Sequence, residues 1–164
     1  MSIELKIAES SQKAIETLNN QGLYVMVEYE HTAPFLPEDI TEFGDENLMD
    51  LYAKYVNYLE FINIQVWCAQ TDRIDAETKM NLERAGQRIS RKEKGKSPVT
   101  LEAEIELDPV YREKVDKYQE LYNYHKLIEL LSEKLSKDIS FINREITRRV
   151  NTNKITGRMN SFAP

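Results

Sequence analysis

The spacing of apolar residues predicts one long helix from Asp45 to about Ala85. Apolar positions recur at alternating steps of four and three, interrupted only at Arg73, which is the heptad pattern of a helix lying along another helix. These positions are Leu48, Tyr52, Tyr55, Leu59, Ile62, Val66, Ala69, Ala76 and Met80. Gly44 and Asp45 supply a cap at the start, and neither Gly nor Pro follows before Ala85.

A second long helix is predicted from about Pro109 to Val150. Asp108 can accept the free amide hydrogens of the first turn, and proline fits the first helical position. Its apolar seam consists of Leu121, Tyr124, Ile128, Leu131, Leu135, Ile139, Ile142 and Ile146. Two helices of similar length joined by a short connection are expected to pack antiparallel. We therefore predict a mainly α fold, with a long antiparallel helical hairpin at 45–150 and a loose C-terminal tail at 151–164.

The connection between the two helices has two interpretations. Gly95, Ser97 and Pro98 end the first helix. The following stretch, TLEAEIEL, alternates apolar and acidic residues, which is typical of a strand but also fits a loop. Both remain open, and the region near 84–98 forms the tip of the hairpin in either case.

Residues 1–44 are predicted to form an N-terminal arm. Residues 3–20 fit a short amphipathic helix that ends at Gly22. Residues 23–30, LYVMVEYE, are rich in β-branched and aromatic residues and predict a strand. Because one strand alone is unstable, its partner must lie elsewhere in the chain or in another subunit. A proline-containing, extended connector leads to Asp45.

Some large apolar residues lie off the two seams. A bare hairpin buries one face of each helix, so this surface needs either the N-terminal arm or other subunits to cover it. We predict a homo-oligomer. The predicted interface residues are Leu51, Tyr58, Phe61, Ile64, Trp67, Leu127 and Leu130.

Charge divides the chain into an acidic head and a basic body. Residues 1–50 hold eleven acidic residues and two lysines, a net charge of −9, so the remaining residues carry +3 of the total of −6. Between positions 84 and 96 there are six cations and one acid, more than a helix C-terminus requires. Such clusters bind nucleic-acid phosphates without reading base sequence. The candidate contacts are Arg84, Arg88, Arg91, Lys92, Lys94 and Lys96, with a second cluster at Arg144, Arg148 and Arg149.

The sequence lacks the motifs of enzymes. It contains no glycine-rich phosphate loop, HExxH, GxSxG or CxxC pattern, so we expect no catalytic residues, no metal site and no cofactor. His125 is interpreted as a packed or interfacial residue and Cys68 as a small buried apolar one. No stretch is long and apolar enough to span a membrane, and no secretory signal begins the chain. The single cysteine favours a reducing cytoplasm.

Several segments resemble the UvsY-like recombination mediators of T-even-type bacteriophages. They are LYAKYVN at 51–57, RIDAETKMNL at 73–82, PVYREKVDKYQELY at 109–122 and LSKDISFINREI at 135–146. The likeness covers roughly residues 51–150. In that family a Lys/Arg motif follows the RIDA-like stretch. Here the matching positions are Glu83, Arg84 and Ala85, so the first basic position is acidic and Arg84 is displaced by one. The positive charge lies further downstream, at Arg88, Arg91 and Lys92.

The resemblance implies a function. Those mediators are helical, ring-forming oligomers that bind single-stranded DNA and contact a RecA-like recombinase and the single-strand-binding protein. They help the recombinase to replace the latter protein on DNA, in the cytoplasm of an infected host cell. They hydrolyse nothing. The alternative is a structural or inhibitory coiled-coil protein that acts through protein–protein contacts, with its acidic head against a basic surface.

Overall fold

The computed structural model describes residues 3–4, 9–25, 28–29, 32–92 and 97–160. Within these residues the secondary structure is mainly helical, and the two long helices, Asp45–Lys92 and Pro109–Asn160, pack together, which confirms the predicted fold class at that level. The elements are β1 Ile3–Glu4, α1 Glu9–Asn20, β2 Glu28–Tyr29, α2 Asp45–Lys92, α3 Pro98–Glu106 and α4 Pro109–Asn160.

The chain divides into two compact units, and both long helices contribute to each. The first unit comprises Met1–Leu5, Met26–Asn63 and Leu130–Pro164. The second unit comprises Lys6–Val25 and Ile64–Glu129.

The core of the first unit is built from the predicted seams. Leu48, Tyr55 and Ile62 of α2 are buried in one cluster with Leu135 and Ile142 of α4. These α2 residues are seven apart, so they repeat on one helix face and meet the face of α4 that carries the second seam. The heptad prediction is thus confirmed for the buried residues of this unit.

The N-terminal arm of the first unit covers apolar residues that lie off the seam. β1 pairs antiparallel with β2, with Ile3 opposite Tyr29. The predicted strand therefore has its partner in the same chain, and residues 3–4, expected to be helical, form that partner. The Tyr29 ring lies 5.0 Å from the ring of Tyr58 and 5.8 Å from that of Phe61, measured between centroids. Of the predicted strand at 23–30, residues 23–25 are not in a strand, and 26, 27 and 30 lie outside the described residues.

In the second unit, the segment after Pro98 is a helix, so both the strand and the loop interpretations were wrong. Ser97 caps α3 by accepting a hydrogen bond from the Thr100 amide, and Pro98 occupies the first turn. Leu101 and Ile105, four residues apart, share one helix face and are buried with Tyr111 of α4. Burial of this pair favours the helix, because alternation would have placed Ala103 on the same buried side as these two residues.

The second unit also contains buried polar residues. Ser11 of α1 is fully buried, and its single hydroxyl hydrogen is directed to Asp72 at 2.9 Å, with the Cys68 carbonyl oxygen as a second, longer acceptor at 3.3 Å. The Tyr124 hydroxyl donates to Gln65 at 2.6 Å. Cys68 is buried, and burial raises the pKa of its thiol. His125 is buried too, as predicted for a packed residue, and burial lowers its pKa.

Helix α4 extends further than the sequence predicted. It continues to Asn160, so residues 151–160 are helical rather than a loose tail, and 161–164 lie outside the described residues. The first proline after Val150 is Pro164, so no residue in between forces the helix to end.

Candidate nucleic-acid interface

Three arginines of the predicted hairpin tip form a row on α2 in the second unit. Arg84, Arg88 and Arg91 follow one another at steps of four and three, which places them on one side of the helix. Glu102 of α3 lies between the first two. Its carboxylate accepts from Arg84 Nη2 at 2.7 Å and from Arg88 Nε at 2.5 Å. One oxyanion is therefore held by two guanidinium groups.

The two guanidinium groups change the acidity of that carboxylate. Hydrogen bonds from Arg88 and then Arg84 lower the pKa of Glu102 to about 2. The hydrogen bond to Glu102 in turn raises the pKa of Arg84. The Glu102 carboxylate is thus ionised at neutral pH and offsets part of the positive charge of the two arginines.

Arg91 is paired with the start of α4. Its Nη2 donates to Asp108, and its Nη1 lies 3.6 Å from Glu104 of α3. Asp108 also caps α4 by accepting from the Val110 amide at 3.0 Å. A hydrogen bond from the Gln87 side chain is the main cause that lowers the pKa of Asp108. Arg91 thereby joins the end of α2 to the beginning of α4.

The remaining cations of the tip are described only in part. Lys92 is the last residue of α2, but its side chain lies outside the described residues, as do Lys94 and Lys96 entirely. Among the described arginines of the tip, Arg88 has the most exposed side chain at 49%, whereas Arg91 is 22% exposed. Arg88 is therefore the described tip arginine most open to an external anion.

The second cluster lies in the first unit, around Glu145. Its carboxylate accepts from Arg148 and Arg149, each at 2.7 Å, and these hydrogen bonds lower its pKa to about 2. The side chain of Glu145 is 9% exposed, whereas that of Arg148 is 60% exposed. Arg144 is exposed and forms no ion pair with a side chain in the described part of the chain.

Arg149 has a separate structural role. An arginine has five N–H donors, and all five are matched by acceptors here. Nε donates to Glu145, Nη1 to Asp45 and to the Phe43 carbonyl, and Nη2 to the carbonyls of Ile40 and Thr41. This side chain ties the connector before α2 to α4. Binding to a phosphate requires the loss of some of these bonds, while Arg148 and Arg144 remain accessible.

Sequence reasoning overlooked the carboxylates that face these arginines. Glu145 precedes Arg148 and Arg149 by three and four residues, a spacing at which helical side chains meet, so that pairing was available from the sequence. The pairing of Glu102 with Arg84 and Arg88 was not available from the sequence, because it depends on α3 being a helix folded against α2.

The predicted oligomer interface residues fall into three groups. Tyr58 and Phe61 are buried in the first unit, Leu51 and Ile64 are half-buried, and the other three are exposed. A second subunit reaches Tyr58 and Phe61 only if the arm moves. The exposed members are Trp67, Leu127 and Leu130.

The comparisons with known proteins were negative. No protein-family model, curated protein or solved structure matches this chain. Assignment of the site therefore depends on its own geometry. In the described part of the chain, no helix has an apolar stretch suited to crossing a bilayer.

Proposed function

We propose that this protein is a non-enzymatic mediator of recombination that binds single-stranded DNA and helps to load a RecA-like recombinase in place of the single-strand-binding protein. The observation that carries this proposal is the carboxylate of Glu102 held between Arg84 and Arg88. A phosphate carries the same type of anionic oxygen, and guanidinium groups bind both in the same planar, charge-assisted manner.

DNA binding then proceeds by exchange of one anion for another. The Arg84 and Arg88 side chains are 36% and 49% exposed, and that of Glu102 is 32% exposed. Ion pairs this close to solvent contribute little to stability, so a phosphate can replace Glu102 at a cost of up to several-fold in affinity. The chain's carboxylates lower the affinity of each site, and several subunits together supply avidity.

The proposal includes an oligomer built on an antiparallel helical hairpin. In the first unit, Asp45 contacts Arg149 and Asn63 contacts Ser132. As the numbering rises along α2 it falls along α4, which supports the antiparallel arrangement there. The proposed DNA contacts remain the two basic clusters, with Arg148 and Arg144 preferred to Arg149 in the second.

The test compares two triple variants with the same change in charge. Arg88→Gln, Arg91→Gln and Lys92→Gln remove three positive charges from the tip without adding carboxylates beside Glu102. The control removes three charges from exposed lysines that pair within one helix, and these are Lys54, Lys117 and Lys134. Binding to a fluorescent oligonucleotide is measured by anisotropy over a range of salt concentrations.

The tip variant is expected to bind more weakly and to show a shallower dependence of log K on log salt concentration, because it forms fewer phosphate contacts. The control is expected to retain most of the affinity and slope. Circular dichroism verifies that both variants remain folded. Equal losses in the two variants, or unchanged binding by the tip variant, would contradict the assignment of the site.

One observation favours the alternative of a structural or inhibitory coiled-coil protein. Each described arginine of the tip is already paired with a carboxylate of its own chain. If this pairing is permanent, the chain acts through protein contacts. Failure to bind single- or double-stranded DNA at low salt, by the natural chain and by a Glu102→Gln variant, would favour this function.

A further inference from the structure

A second apolar seam runs along α2 in the second unit, on the side that faces solvent. Its residues are Trp67, Thr71, Ile74, Thr78, Leu82, Ala85 and Ile89. They follow one another at steps of four and three, with one additional step of four, so they lie on one face of the helix. The exposed fractions of the four largest rise from 41% at Trp67 to 48% at Ile74, 67% at Leu82 and 68% at Ile89.

The opposite face of this part of α2 carries mostly small apolar side chains. Cys68, Ala69 and Ala76 are buried there and Met80 is half-buried, while the four largest residues of the seam are exposed. In a monomer the reverse is expected, because large side chains gain most from burial. A continuous exposed stripe of Trp, Ile and Leu is instead typical of a protein-interaction surface.

The threonines of the seam do not make it polar. The Thr71 hydroxyl donates to the Trp67 carbonyl at 3.0 Å, and the Thr78 hydroxyl donates to the Ile74 carbonyl at 2.9 Å. Both hydroxyl groups are satisfied within the helix. Their methyl groups can therefore contact a partner without leaving a donor hydrogen unpaired.

The seam is symmetric about Thr78. If two copies of the seam lie antiparallel with Thr78 opposite Thr78, then Ile74 faces Leu82, Thr71 faces Ala85 and Trp67 faces Ile89. Each apolar residue meets an apolar residue, and each threonine meets a small side chain. Such self-complementarity is the property that a two-fold symmetric interface requires.

We infer that a second copy of this chain covers the seam, through antiparallel pairing of the two α2 helices about an axis at Thr78. This contact belongs to the self-association in the proposed function, but it uses a surface distinct from the arginine row and does not depend on DNA. It explains why the larger apolar side chains of this helix segment point away from its own unit.

Near Thr78, the charges along one edge of the seam are complementary between the two antiparallel copies, whereas those along the other edge are not. With about 100° of rotation per residue, Asp75 and Lys79, which pair with each other at 2.7 Å within the helix, lie on one edge and Glu77 on the other. Like edges meet in an antiparallel pair, so Asp75 of each copy lies near Lys79 of the other. On the other edge, Glu77 of one copy lies near Glu77 of the other, and repulsion between the two carboxylates weakens the dimer. A Glu77→Gln variant is therefore expected to dimerise more tightly.

The size of the seam predicts a modest affinity. From Trp67 to Ile89 the helix rises about 33 Å and is about 10 Å wide. The face presented by each copy is thus smaller than the ~800 Å² per partner of a standard interface. We expect a dissociation constant in the micromolar range, and therefore dimers that form and dissociate with concentration.

Cysteine cross-linking of the full-length chain, without DNA, tests the register. The native Cys68 is buried and its thiol has a raised pKa, so it provides a low background. Thr78→Cys is expected to form a disulfide-linked dimer under mild oxidation. Thr71→Cys alone is expected not to, whereas a mixture of Thr71→Cys and Ala85→Cys chains links. Thr100→Cys, at an exposed position of α3, controls for disulfides that form by random collision.

Three results contradict the inference. If Thr78→Cys links no better than Thr100→Cys, the seams do not meet. If Thr71→Cys links to itself as readily as Thr78→Cys, the helices are parallel. If Ile74→Lys leaves the sedimentation coefficient unchanged over the concentration range in which the natural chain associates, the association uses another surface.

A charge-swap experiment supplies an independent readout. Ile74→Lys and Leu82→Glu are each expected to shift the chain to a monomer in analytical ultracentrifugation. The double variant is expected to dimerise again, because each new lysine faces a new glutamate of the other copy. Val99→Glu, an equally drastic change at an 81% exposed site on α3, is expected to have no effect. A double variant that stays monomeric would overturn the antiparallel register.

Discussion

Replacement of Tyr29 by alanine tests whether the N-terminal arm covers the first unit. Tyr29 is 4% exposed, and its ring contacts the rings of Tyr58 and Phe61. The sequence left open whether the arm or another subunit covers Tyr58 and Phe61. The structure places Tyr29 there, so its removal uncovers apolar area that was expected to need protection.

The expected loss follows from the buried ring. Truncation of a buried aromatic residue to alanine costs about 3–5 kcal/mol, and aromatic contacts of this type add about 0.5–1.5 kcal/mol beyond burial. Because β2 has only two residues and few backbone hydrogen bonds hold it, it can shift into part of the cavity, which favours the lower end of this range. We expect the free energy of unfolding to fall by about 3 kcal/mol, a large part of the ~5–15 kcal/mol that stabilises a typical domain.

The chain provides a control for the same substitution at Tyr24, which belongs to the second unit. Tyr24 is 90% exposed, so Tyr24→Ala is expected to change the free energy of unfolding by less than about 0.5 kcal/mol. Urea denaturation followed by circular dichroism measures both variants. Equal effects, or a loss below about 1 kcal/mol for Tyr29→Ala, would refute the docking of the arm and return Tyr58 and Phe61 to the oligomer interface.

Three further predictions concern ionisable groups. Burial, followed by the negative charge of Asp138, raises the pKa of Tyr55 from 10.0 to about 12. The stability of the first unit should therefore fall as pH rises from 10 towards 12, and it should fall less in the Tyr55→Phe variant. The pKa of Glu145 is lowered from 4.5 to about 2, so the stability that its ionised form contributes is complete above pH 4.5 and is lost on acidification towards pH 2. In the Glu145→Gln variant, the urea midpoint should therefore change less over this pH range. Glu102→Gln frees Arg84 and Arg88 from a competing charge and should tighten binding to single-stranded DNA several-fold at low salt, as measured by anisotropy, whereas weaker or unchanged binding would contradict the exchange of anions.

The sequence alone determined that the two long helices form and, in the first unit, which face of each is buried. Leu48, Tyr55 and Ile62 repeat every seven residues, and this local pattern predicted both the helix and the face that packs, because periodicity acts along one element. The start of α2 at Asp45 and that of α4 at Pro109 were equally local, since capping depends on adjacent residues.

Only the tertiary structure decided what the side chains meet across the chain. Glu102 lies 18 residues from Arg84, and Phe43 lies 106 residues from Arg149, separations at which spacing predicts no contact. The helical state of α3 was decided by burial of Leu101 and Ile105 against Tyr111, which outweighed an alternating pattern typical of a strand. Charge clusters are visible in a sequence, but their neutralisation depends on which distant carboxylates folding brings beside them.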